Sequence, residues 1–89
     1  LEIITKKQFE KDIKKLKKQQ KDFSILETVL ELLISDKILE RKYKNHPLVG
    51  NWKPCWEIHL EPDWLLIYFR DRTNDRLILY RTGSHSELF

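Results

Sequence analysis

The sequence predicts an α+β domain in which two helices near the N-terminus precede a small antiparallel sheet. Three observations carry this expectation. Apolar residues recur at spacings of three and four between residues 9 and 34, and they alternate with period two from residue 56 onward. The stretch between, residues 45 to 55, holds two of the three prolines and one of the two glycines. Eighty-nine residues suffice for one core and leave no room for a second, so residues 1–89 are read as a single domain.

The opening "LEII" alternates and reads as a short first strand. Thr5 has N-cap chemistry for "KKQFEKDIKKLKKQQKD", where Phe9, Ile13 and Leu16 make one narrow apolar stripe on a basic helix. Ser24, with Glu27 three residues on, has capping-box form and opens a second helix, "ILETVLELLIS". Its wider apolar face marks it as the more buried of the two. "NHPLVGNWKPC" reads as a loop, and "WEIHL", "WLLIYF" and "RLILYR" follow as a three-stranded meander joined by "EPD" and "DRTND".

With Pro62 and Asp63 as the first turn, Leu60 falls opposite Leu65, Ile58 opposite Ile67 and Trp56 opposite Phe69. That apolar face is expected to receive the helices, joined by Ile78 and Tyr80. The other face then collects Glu57, His59, Leu66, Tyr68, Leu79 and Arg81. On it His59, Leu66 and Arg81 form one row, with His59 and Arg81 roughly 10 Å apart.

Net charge is +3, but residues 1 to 22 carry eight Lys against four acids, which suits a polyanionic partner. Lys14, Lys17 and Lys18 are the candidate contacts, although a solvated helix face would look the same. No apolar run approaches the ~20 residues of a membrane span, and "LEIITKK" lacks the features of a signal peptide. A cytoplasmic protein with no membrane partner is expected, and the single Cys55 agrees with a reducing compartment.

His46, His59 and His85 all fall in the loop, on the non-helical face or just past it, with Asp63 in the turn beside His59. Histidine titrates near neutrality and serves as acid or base, and an arginine fork suits phosphate oxygens. Together with Arg81 these residues supply what metal-free RNA cleavage needs. No C-x-x-C or H-x-x-x-H spacing supports a metal, so neither metal nor cofactor is expected. Ser84, His85 and Ser86 are adjacent in a turn and make no triad, and Trp52 reads as a packing residue.

In "NHPLVGNW", "WEIHLEPDWLLIY" and "LILYRTGSHSELF" the chain resembles the YafQ-type toxins of the RelE/ParE superfamily, found in bacterial toxin and antitoxin pairs. The resemblance implies a RelE-like fold, with a short first strand and two N-terminal helices on one face of a mainly antiparallel sheet. It implies an mRNA endoribonuclease that cuts messenger in the ribosomal A site by attack of the 2′-hydroxyl. The implied partners are the 70S ribosome, mRNA and a cognate antitoxin; the free toxin would be monomeric and the antitoxin complex larger.

Carried over by position, His46, His59, Asp63 and His85 are catalytic, Arg81 matches a strand arginine, and Trp64 and Phe89 support activity at the substrate. The expected roles are His85 as general acid, Asp63 or His59 as base, His46 for substrate positioning or proton relay, and Arg81 for transition-state charge. Glu57 departs from the Asp expected before His59, which leaves its role open. A non-catalytic binder of the same fold, or a basic RNA-binding domain, would need no such histidine cluster.

Overall fold

The computed structural model describes residues 1–89. Its elements run β1 (Glu2–Thr5), α1 (Lys7–Lys18), α2 (Ser24–Ile34), β2 (His46–Pro47), β3 (Trp56–Glu61), β4 (Trp64–Asp71), β5 (Arg76–Gly83) and α3 (His85–Leu88). The five strands form one sheet in the order β1-β5-β4-β3-β2, with β1 parallel to β5 and every other pair antiparallel. The expected α+β architecture holds, and the short first strand lies at the sheet edge farthest from β2. No helix is long and apolar enough to cross a membrane.

Both helix starts differ from expectation. Lys6, not Thr5, occupies the N-cap of α1, and the Thr5 hydroxyl donates to Glu10 at 2.7 Å. At α2 the Asp22 carboxylate accepts from the Ser24 N–H and hydroxyl at 3.0 and 2.6 Å, so Ser24 and Glu27 form no capping box. An ionised carboxylate two residues upstream is the stronger acceptor and takes the hydroxyl first. The wider face of α2 is as expected: Ile25, Leu26, Val29, Leu30, Leu32 and Leu33 are wholly or partly buried.

The two inner turns also form where expected, at Pro62–Asp63 and after Asp71, but two bulges alter the register beyond them. Glu61 pairs with Trp64 and then His59 with Leu65, so Leu60 is the extra residue. Tyr68 pairs with Leu79 and Ile67 with Arg81, so Tyr80 is the extra residue on β5. Each bulge shifts subsequent pairing by one. Leu66, Tyr68 and Leu79 therefore join Ile58 and Leu60 under the helices, while Leu65, Ile67 and Phe69 face the other way.

Both faces of β4 are consequently covered. On the helix side, twelve buried residues form the main core, among them Phe9, Leu16, Leu26, Val29, Ile58, Leu66 and Leu77. On the other side Cys55, Leu65, Ile67 and Leu88 form a smaller cluster, flanked by Leu48, Trp52, Phe69 and Tyr80. The 46–55 segment and α3 cover this second face. These two pieces hold His46 and His85.

Candidate active site

Three separate devices bring the imidazoles together. β2 pairs with β3 so that His46 lies directly opposite Glu57, and the Tyr68 hydroxyl fixes the approach by donating to Asn45 at 2.7 Å. His59 lies two residues farther along β3 on the same face as Glu57. α3 brings His85, docking against Gly83, where an added Cβ would stand 3.2 Å from Glu87 Oε1 and 3.5 Å from Leu88 Cδ2. Glycine is what lets the last helix come this close.

α3 is only four residues long, yet four contacts hold it. Ser84 and Glu87 form a capping box, Leu88 is buried, Asp63 accepts from the His85 N–H at 2.9 Å, and Lys15 on α1 pairs with Glu87. Lys15 and the Ser84 N–H and hydroxyl pull the Glu87 carboxyl down to about 2. This anion spans from the basic helix to the end of the chain. It complements the short helix from within its first turn.

The resulting site is a row of imidazoles. His46 and His59 ring centroids are 6.1 Å apart, and those of His59 and His85 are 5.5 Å apart. Glu57, 7% exposed at its side chain, lies beneath the row, with Oε1 3.0 Å from His59 Nε2 and 3.6 Å from His46 Nε2. Asp63 accepts from His85 Nδ1 at 2.7 Å, and the two hydrogen bonds from His85 hold its carboxyl below the usual carboxylate value. His46 donates Nδ1–H to the Lys44 carbonyl. A groove of about 590 Å³, lined by Lys42, Tyr43, Lys44, His59, Pro62 and His85 among others, opens on the row.

A family model for the bacterial toxin of the type II toxin-antitoxin system, YafQ, matches residues 1–89. The chain belongs to the YafQ toxin family. It is 43% identical over 84 residues to the mRNA interferase toxin YafQ of Escherichia coli K12, covering 92% of this chain and 88% of that one. A metal-bound toxin from Helicobacter pylori superposes with a TM-score of 0.94 at 46% identity, covering 100% of this chain and 99% of the other. YafQ in the E. coli DinJ–YafQ complex superposes with a TM-score of 0.90 at 40% identity, over 99% and 97% of the two chains.

Within this YafQ-family fold the sequence-predicted residues do not all converge. His46, His59, Asp63 and His85 do. Arg81 does not share the row expected of it: the Tyr80 bulge places it across Ile67 from Glu57, while His59 lies across Leu65 from Gly83. Its Nε and Nη2 donate to Asp12 at 2.8 and 3.2 Å, which leaves Nη1 unspent. Trp64 is 1% exposed, donates Nε1–H to Thr82 at 2.9 Å and packs edge-on against Phe23, so it supports the turn and offers no surface for a base to stack on.

Phe89 stays 58% exposed, with its ring 5.8 Å from that of Trp52. Lys14, Lys17 and Lys18 project from α1 into solvent. Cys55 is buried in the smaller cluster, and burial pushes its thiol up. Glu57 is the residue that sequence reasoning undervalued. The missing signal was β2: while residues 45–55 read as a loop, nothing placed His46 opposite Glu57.

Proposed function

We propose that this chain is an mRNA interferase silenced by a cognate antitoxin, and that it cuts messenger on the ribosome with its own side chains as acid and base. The name of its E. coli relative supports the activity, and the Asp63–His85 pair carries the mechanistic reading. Asp63 takes Nδ1 of His85, so Nε2 is the ring nitrogen left to deliver a proton. The same carboxylate, spent on two hydrogen bonds and held low, is a poor base. That leaves His59.

With Nε2–H of His59 donated to Glu57, Nδ1 carries the lone pair. It removes the 2′-hydroxyl proton, the 2′-oxygen attacks phosphorus, the P–O5′ bond breaks, and His85 protonates O5′. The products are a 2′,3′-cyclic phosphate and a 5′-hydroxyl. Lys42 and Lys44 at the groove offer cations for the charge that develops on phosphorus, whereas Arg81 is held by Asp12. No step calls for a metal.

The groove is open and has few groups to orient RNA, so the ribosome supplies the positioning, an effect worth several kcal/mol. The exposed lysines of α1 match ribosomal RNA or an acidic antitoxin segment alike. Single-turnover cleavage on programmed ribosomes and on naked message tests the reading. His85→Ala should cost roughly a hundredfold or more on ribosomes, with an unchanged thermal midpoint. Equal rates on naked message would reject ribosome dependence, a normal His85→Ala rate would reject the acid, and loss of activity on stripping transition metals with a selective chelator would reject metal independence.

A further inference from the structure

We propose that the groove around Trp56 is a second RNA subsite, which holds the message on the 5′ side of the cut with a base stacked on the indole and phosphates on Lys37, Arg41 and Lys44. The subsite rests on the nuclease reading above. Its groove measures about 580 Å³, much like the one at the histidines, and Lys44 lines both. Residues 36–41 with Lys44 and Asn45 form one wall, and Trp56 and Tyr68 stand on the other.

The chemistry of the walls identifies the occupant. Trp56 is 38% exposed, the most exposed of the three tryptophans, and Ile38 beside it is almost wholly so. An open indole face accepts any base. Lys37, Arg41 and Lys44 are exposed and pair with no carboxylate, because the two acids on their wall are engaged: Asp36 with Arg72 at 2.7 and 3.1 Å, Glu40 with Lys42 at 3.8 Å. Free cations beside a free aromatic face suit a single strand, whose backbone is anionic and whose bases are planar. An acidic peptide would answer the cations alone.

Continuity with the imidazole row gives the strand its direction. Pro47 pairs with Trp56 and His46 with Glu57, and the Lys44 carbonyl accepts from His46, so the groove abuts the His46 end of the row, away from His85. His59 serves the 2′-hydroxyl of the nucleotide before the cut and His85 the 5′-oxygen of the one after it. A strand that leaves past His46 and over Lys44 therefore runs toward its own 5′ end. Three residues of β3 separate Trp56 from His59, roughly 10 Å, so the stacked base lies upstream of the scissile phosphate.

A short single-stranded RNA with 2′-O-methyl groups, which block the attack, is titrated into the protein by calorimetry and tryptophan fluorescence. Binding should quench emission. Trp56→Ala should weaken affinity about tenfold and remove most of the quench, while Trp56→Phe keeps much of the affinity. Lys37→Gln and Arg41→Gln should each lower the slope of log affinity against log salt by about 0.7. Circular dichroism checks folding, and Arg41→Glu, at an exposed position, tests the groove should Trp56→Ala unfold. Unchanged affinity in these variants would overturn the subsite, as would quenching by polyglutamate but not by RNA, which would give the groove to a protein partner. On programmed ribosomes, 4-thiouridine placed 5′ of the mapped cut should crosslink to the Trp56 segment of the His85→Ala protein; crosslinks only from the 3′ side would overturn the direction. Trp56→Ala should also raise the toxin concentration for half-maximal cleavage and leave the saturated single-turnover rate near normal. An unchanged requirement would sink the subsite and leave the nuclease standing. A chain that binds RNA through Trp56 but never cuts message would sink the nuclease reading and leave an RNA groove.

Discussion

Leu65 and Leu66 are neighbours on β4 and neither has any exposed surface, yet they serve different halves of the molecule. Leu66 belongs to the twelve-residue core beneath α1 and α2, which determines whether the chain folds. Leu65 belongs to the four-residue cluster beneath α3 and the 46–55 segment, which determines where His46 and His85 stand. The main core is built from long elements that cooperate. The small cluster holds short ones: a two-residue strand and a one-turn helix.

Leu66→Ala should give the largest change in stability, about 2 to 5 kcal/mol, because rigid helices on that side cannot collapse into the cavity. Urea denaturation reads it directly. Leu65→Ala should cost less, about 2 to 3 kcal/mol, because α3 can settle inward. Cleavage by the remaining folded protein should nevertheless fall more than for Leu66→Ala. If the two variants lose stability and activity in the same proportion, the division between a folding core and a positioning cluster is wrong.

Acid sharpens the comparison through the carboxyl that fastens α3. The Glu87 carboxyl is depressed when folded, so its contribution is fully present above the ordinary carboxylate pKa and is lost as pH falls toward about 2. Amide exchange in α3 should therefore rise through this window in the wild type, and Glu87→Gln should show the raised exchange already at neutral pH. Protection in α1 and β4 should change later. Simultaneous loss would merge the two regions into one cooperative unit.

Deleting Phe89 is the mildest perturbation. The ring is mostly exposed and meets Trp52 edge-on, so the thermal midpoint should move by a few degrees at most. If the ring stacks on a base, its removal costs about 1 to 3 kcal/mol and cleavage drops roughly tenfold. A large fall in the midpoint would make it an anchor of the small cluster. Full activity would take it out of the site.

The helices, the first strand and the meander were legible because apolar periodicity is set locally. The exact register was not. "WLLIYF" is apolar on both faces because both faces of β4 are covered, so alternation could not say which set points to the helices. The bulges at Leu60 and Tyr80 leave no mark in composition, yet they moved Arg81 out of the row of His59. His59, Asp63 and His85 were legible because a turn and a chain reversal bring them together. Glu57 was hidden because β2 has only two residues, too few to show a period.

The topology also carries a timetable. A chain made from its N-terminus delivers β1 and α1 first, His46 and His59 midway, and β5 with α3 only after every other element. Until those last pieces leave the exit tunnel, His85 cannot meet Asp63, and the nascent toxin lacks its proposed acid. On the proposed mechanism, the chain is inactive for as long as it is being made. During the same interval the lysines of α1 are already outside, where an acidic partner can reach them before the enzyme is complete.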